Sequence, residues 1–224
     1  AEIQRFEFHP FVARLVAFCS EDLGAFYVDV LKDRLYTTKT DARPRRSAQT
    51  ALHHITHSLV KLMAPALSFT AEEVWAYLRP GAETIFTETH HEFPAIDDEA
   101  ALVEKWTQLR AIRGDVTKKL EELRVAGKIG SSLDAEVEIR APQSTHSHLT
   151  SLGEDLRFVF IVSKIDLELT ADESATIVPR PSLHTKCERC WHHRPDVGSN
   201  AQHATICGRC LSNLFGLGEN RQFV

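Results

Sequence analysis

Along the first 130 positions apolar residues recur at three- and four-residue steps, the period of helices with one face turned to a core. Between 10 and 36, Phe11, Leu15, Phe18, Phe26 and Val30 share one face while Asp and Glu occupy others, which predicts a long amphipathic helix. Cys19 falls on that face, where a small buried core thiol is expected. Residues 37–46 break the pattern with Thr, Lys, Asp and Pro, and Arg43, Arg45 and Arg46 make this connection basic. A second helix follows Pro44, with Ala48, Leu52, Ile55, Leu59 and Met63 on one face, and stops near Pro65. Thr70-Ala-Glu-Glu73 has the spacing of a capping box, so the next helix is expected to start there and turn Val74, Trp75 and Leu78 inward. Residues 80–95, with Pro, Gly and the adjacent His90 and His91, read as a loop. From Asp97 to about Ala126 a further long helix carries Leu102, Trp106, Leu109, Ile112, Val116, Leu120 and Leu123. Asp97, Asp98 and Glu99 suit the positive end of its dipole, and Gly127 and Gly130 end it.

After 130 the period changes. Ala135 to Arg140 alternates as a strand, with Val137 and Ile139 on one side. A short helix is expected over 144–156, and Phe158–Val162, Ile165–Leu169 and Ala175–Val178 read as three short strands. The fold class is therefore mainly α. A helical bundle over 1–130 is followed by a small α/β subdomain over 131–180 and, past Pro179 and Pro181, a cysteine-rich module over 183–224.

Composition bounds the class. At about 150 residues per domain, 224 residues make one or two domains before motifs are considered. With 43% hydrophobic and 25% charged residues the chain is neither disordered nor collagen-like. Its longest apolar run, Phe158 to Val162, is far short of the roughly 20 residues that cross a bilayer. The opening Ala-Glu-Ile-Gln-Arg-Phe-Glu-Phe has no secretory pattern, and a start other than Met fits a fragment or a processed chain. The expected setting is the reducing cytoplasm, where paired cysteines hold metal more often than disulfides. A net charge of −5 confines any nucleic-acid contact to a local patch.

Four of the five cysteines form two C-x-x-C pairs, Cys187/Cys190 and Cys207/Cys210, separated by sixteen residues. That is the spacing of a structural zinc ribbon. Each pair makes a tight knuckle with two thiolates aimed at one ion, and two knuckles complete a tetrahedron with no position left for water. A segment of some forty residues cannot bury enough core to fold alone, and one structural Zn2+ supplies the deficit. Between 183 and 224, Lys186, Arg189, Arg194, Arg209 and Arg221 outnumber Glu188, Asp196 and Glu219, a surplus of two positive charges. These cations can offset the thiolates, and some can also reach phosphate with His184, His192 and His193. Trp191, beside Cys190, is expected to pack over the metal site, with base stacking as the second role.

These residues resemble a family. The stretch Phe18-Cys-Ser-Glu-Asp-Leu-Gly-Ala-Phe-Tyr27 through Tyr36 is similar to the first anticodon-binding helix of class I aminoacyl-tRNA synthetases for branched aliphatic amino acids. Arg45-Arg-Ser-Ala-Gln-Thr-Ala-Leu52 and Met63-Ala-Pro-Ala-Leu-Ser-Phe-Thr-Ala-Glu-Glu-Val-Trp75 are similar to the helices that follow it. Lys186-Cys-Glu-Arg-Cys-Trp191, Ile206-Cys-Gly-Arg-Cys210 and Gly218-Glu-Asn-Arg-Gln-Phe223 resemble the C-terminal zinc module of bacterial-type isoleucyl-tRNA synthetases. Valyl enzymes typically end in a coiled coil, and no sustained heptad occurs here. The likeness is weak between about 131 and 180.

The resemblance implies a C-terminal piece of a larger ligase that joins isoleucine to its tRNA through an adenylate, with ATP and Mg2+. It implies binding of isoleucine tRNA by the anticodon arm, and a monomer that contacts no membrane. The family's His-Ile-Gly-His and Lys-Met-Ser-Lys-Ser motifs do not occur, and the editing domain is expected to be absent, so no catalytic residue is assigned. Candidate tRNA contacts are Arg43, Arg45 and Arg46 at the helix connection and Arg189, Trp191 and Arg194 in the tail. A DNA-repair glycosylase segment would carry a similar ribbon, but such enzymes use an N-terminal proline nucleophile, and nothing comparable opens this chain. A redox protein acting through its C-x-x-C pairs is the third reading.

Overall fold

The computed structural model describes residues 2–223. Among them no helix is long and apolar enough to cross a membrane. The first helical run extends from Phe8 to Thr37: α1 (Phe8–Ala17), a π-helical stretch (Phe18–Val28) and α2 (Asp29–Thr37). The amphipathic period locates this run but not its wider middle. Gly24 belongs to that middle, where a Cβ would lie 3.0 Å from the carbonyl oxygen of Cys19. Cys19 itself is half-buried, so the expected core thiol sits at the margin of the packing. Next come α3 (Arg43–Met63) and α4 (Ser68–Leu78). α4 starts before Thr70, and the Ser68 hydroxyl donates to the Ala64 carbonyl at 3.0 Å. Thr70 is thus inside the helix, and the expected capping box does not form there. A complete capping box occurs instead at Ser131 and Asp134.

The chain divides into two compact units, one of residues 1–29 with 46–96 and one of residues 30–45 with 97–224. In the first, Val60 and Ala64 of α3 pack on Ala71 and Trp75 of α4 and on Ile85, with Met63, Val74 and Leu78 at the edge. The Glu72 carboxylate accepts from the Thr84 hydroxyl and the Ile85 N–H, both at 2.9 Å, which pins the Ile85–Thr87 turn to α4. His53, His54, His57 and His91 cluster beside Trp75. The His53 and His57 ring centroids are 4.1 Å apart, and His54 Nδ1 lies 2.9 Å from His91 Nε2. Burial, then the charges of neighbouring histidines, hold His57 below the usual histidine range.

The second unit is built on α5 (Glu99–Val125), whose Leu109, Val116 and Leu120 are buried. It packs against a three-stranded sheet and its crossover. β1 (Ala135–Ala141) is central, parallel to β2 (Lys164–Leu169) and antiparallel to β3 (Thr176–Pro181). Val137 pairs with Ile165 on one side and Pro179 on the other. Between β1 and β2 run α6 (Gln143–Thr150) and α7 (Leu156–Phe160). Two expectations fail here. The run from Phe158 is helical rather than a strand, ending at Ile161 with φ of 54°. A short apolar run carries no period, and this one is buried on every side. The expected helix over 144–156 correspondingly stops at Thr150. The strand expected over Ala175–Val178 is β3 and runs on through Pro179 and Pro181, on a sheet edge where a missing N–H is tolerated. The tail adds a minimal pair, β4 (Thr185–Lys186) with β5 (His193–Arg194), and then α8 (Gly208–Phe215).

Candidate metal centre and basic surface

The first knuckle is closed by local backbone bonds. Trp191 N–H donates to the Cys187 carbonyl at 2.8 Å, and Cys187 N–H donates to the His192 carbonyl at 2.9 Å. Trp191 takes a left-handed φ of 65° to close that turn. The second knuckle is the start of α8: Cys207 precedes the helix and Cys210 lies in its first turn. Gly208 approaches Asp196 so closely that a Cβ would stand 2.8 Å from its Oδ2, which accepts the Gly208 N–H at 2.8 Å.

The four thiols are buried, not joined by disulfides, and their sulfurs lie within 4.8 Å of each other. Cys187 and Cys210 Sγ are 3.7 Å apart, and Cys190 and Cys207 Sγ are 3.8 Å apart. A tetrahedron with metal–sulfur bonds of about 2.3 Å has edges of about 3.8 Å, whereas a disulfide would need about 2.05 Å. The thiols share hydrogen bonds that hold Cys207 below the ordinary thiol range and push Cys210 far above it. Four thiolates this close repel one another, and a divalent cation among them is what lets all four ionise. The donor set and its spacing fit a structural zinc.

Cations surround the cluster. Arg189 Nη1 donates to the Thr37 carbonyl at 2.6 Å, at the end of α2, and lies 3.7 Å from Cys210 Sγ. Arg209, between Cys207 and Cys210, makes a bidentate pair with Asp33 of α2 at 2.7 and 2.8 Å. Arg221 also reaches Asp33, and Glu219 accepts from both guanidiniums. Burial alone would raise the Asp33 carboxyl, but the Arg209 hydrogen bond and the charges of Arg209 and Arg221 hold it well below the usual range. Phe158 lies beneath this group, its ring centroid 3.6 Å from the Arg221 guanidinium and 5.0 Å from that of Arg209.

The expected tRNA contacts fare differently. Arg43, Arg45 and Arg46 occupy the first turn of α3, with Arg43 and Arg46 exposed. Arg189 is engaged inside the chain, joining the first knuckle to the end of α2. Trp191 does not pack over the thiols: it is 60% exposed, with the Lys186 ammonium 5.6 Å from its ring centroid. Its left-handed backbone turns the ring outward. Arg194 is half-buried, its Nε 3.7 Å from Asp196. His192 is buried against Phe158 and does not face solvent. The network of Asp33, Arg209, Glu219 and Arg221 was not foreseen as a unit, because its members are separated by up to 188 positions. The one local signal is an arginine set between two cysteines of a knuckle.

A helical unit and a module of two cysteine knuckles, whose four thiols are spaced for one metal ion, define the class. A model described as the anticodon-binding domain of tRNA ligase matches residues 1–139. A second, described as a zinc finger found in FPG and IleRS, matches residues 186–213. The chain belongs to the anticodon-binding domain family of tRNA ligases. It is 61% identical over 97% of its length to the isoleucine–tRNA ligase of Paraburkholderia xenovorans and 62% identical over 97% to that of Paraburkholderia phytofirmans. It is 56% identical over 97% to that of Burkholderia cenocepacia. The chain spans 23% of the length of each of these relatives.

Proposed function

We propose that this region binds isoleucine tRNA by its anticodon arm and positions it for ATP- and Mg2+-dependent aminoacylation by the catalytic part of a longer, monomeric cytoplasmic ligase. The match of residues 1–139 to an anticodon-binding domain carries this reading. Splayed anticodon bases stack on aromatic or arginine planes while cations meet the backbone. Exposed Trp191 supplies such a plane, and Arg43, Arg45 and Arg46 add three cations at the positive end of a helix, where phosphate is favoured.

In this reading Cys187, Cys190, Cys207 and Cys210 hold one structural Zn2+. The ion supplies charge neutralisation and folding free energy. The chain's own residues do the rest: Arg189 and Arg209 tie the knuckles to α2. The test compares the zinc-loaded chain against isoleucine tRNA and an unrelated tRNA by fluorescence anisotropy, with metal content read by native mass spectrometry. One zinc per chain and salt-sensitive binding that prefers isoleucine tRNA are expected. Equal affinity for both tRNAs would refute anticodon reading by this region.

A further inference from the structure

A cleft of about 500 Å3 opens where the starts of β1 and β2 meet α7 and β5. Among its lining residues are Glu136, Arg157, Lys164, Asp166, His184 and Arg194. Its two inner carboxylates already have cations. Arg180 donates to Glu136 at 3.2 Å and to Asp166 at 3.1 Å, and Lys164 holds Asp166 at 2.7 Å. The Ser182 hydroxyl also donates to Glu136 at 2.8 Å.

The arginines of the lining are placed differently. The Arg157 side chain is only 13% exposed, and the carboxylate facing it, Glu154 at 3.5 Å, is 94% exposed. Arg157 Nε is buried with no hydrogen-bond partner. One face of its guanidinium lies over the Phe158 ring at 4.7 Å, which leaves the in-plane N–H groups to donate elsewhere. Burial, then the charges of Arg194 and Arg209, lower the proton affinity of Arg157, and Arg194 lines the same cleft. The carboxylate nearest Arg194 is Asp196, whose Oδ1 is 3.7 Å from the Arg194 Nε, beyond hydrogen-bond reach, while its Oδ2 accepts from Gly208. Arg157, whose one carboxylate partner is solvent-exposed, thus lines the cleft together with Arg194, and a buried cation with a weak counterion is costly until an anion joins it.

We propose that this cleft is an oxyanion site in which Arg157 and Arg194 grip a phosphate of the RNA backbone, with Lys164 at the rim. The RNA assignment rests on the tRNA-binding reading above; the oxyanion chemistry does not, since free phosphate shares it. The cleft exceeds an isolated phosphate in size, leaving space for adjoining sugars. Trp191, exposed three residues before Arg194, offers a stacking plane on the same hairpin. A phosphate contact carries no base identity, so this site contributes affinity rather than choice of tRNA.

Two measurements on the zinc-loaded chain test this. In the first, inorganic phosphate is titrated while the arginine Nε–H resonances are followed by NMR. Arg157 should shift saturably, and the shift should vanish in Arg194→Gln. In the second, tRNA affinity is measured against salt for wild type, Arg194→Gln and Arg157→Lys, the last keeping charge and fold but losing the planar fork. Each variant should weaken binding about tenfold, equally for isoleucine and unrelated tRNA. In Arg194→Gln the salt slope should fall by about 1. No Arg157 shift together with an unchanged slope overturns the site. Saturation by phosphate that tRNA does not displace, in a chain that still binds tRNA, overturns the RNA assignment. If wild type binds no tRNA while phosphate still saturates Arg157, the tRNA-binding reading falls and the oxyanion site stands.

Discussion

Asp33→Ala probes the joint between the cysteine tail and α2. The wild-type carboxylate bridges Arg209 and Arg221, whose side chains are 9% and 0% exposed, and is itself 15% exposed. Removing it leaves two buried guanidiniums to share Glu219, at 3.3 and 3.4 Å. Breaking a buried pair by deleting one partner costs about 3–5 kcal/mol. Because Glu219 still offsets part of the charge, the expected loss is about 3 kcal/mol. Hydrogen exchange should show it as lost protection in α8 and α2, and urea unfolding as a lower midpoint. A double-mutant cycle with Arg209→Ala should give a coupling of about 2 kcal/mol. The pH dependence has a definite sign. The folded carboxyl titrates far below its unfolded value near 4, so its stabilisation is complete above that value and is lost as pH falls below it. The stability difference between wild type and Asp33→Asn should be level above about pH 5 and shrink below about pH 4. A loss under about 1 kcal/mol, or additivity in the cycle, would show that this network is not what seats the tail.

Three further outcomes follow from the packing and the chemistry. In the zinc-loaded chain a thiol reagent should modify half-buried Cys19 alone, and all five cysteines should react after chelation; equal reactivity before and after would contradict metal ligation. Leu109→Ala, at a fully buried position of α5, should cost about 2–5 kcal/mol in urea unfolding, whereas Leu217→Ala, 98% exposed, should change stability by less than about 0.5 kcal/mol. The His57 ring should titrate below its free value in an NMR pH series, and since the unfolded histidine takes its proton first, the first unit should lose stability as pH falls through about 6.5. A midpoint at or above 6.5 would contradict the burial argument.

Long periodic segments were legible because one helical face must repeat every three to four residues to meet a core. α3 and α5 were located this way to within a few residues, and so was the run from Phe8 to Thr37. The two C-x-x-C pairs were legible for a related reason: a knuckle is a local turn, and its spacing is written in consecutive residues. Segments without a period were misread. Phe158 to Val162 has the composition of a buried strand, yet burial on all sides is satisfied equally well by α7. Trp191 was expected to pack inward because it adjoins a cysteine ligand position, but the left-handed turn that closes the knuckle directs it outward.

By itself the sequence determined where the long helices run, which four thiols share a site, and to which family the chain is similar. These rest on periodicity and local spacing, which neighbouring residues carry among themselves. Only the tertiary structure decided the roles of the arginines. Arg189, Arg194, Arg209 and Arg221 are equivalent as letters, each one of the cations that give the tail its surplus charge. In space Arg209 and Arg221 are neutralised by Asp33 and Glu219, Arg189 closes on the end of α2, and Arg194 lines a cleft with Arg157. What a cation does depends on the nearest carboxylate and on the water excluded around it. Both are set by residues far away along the chain.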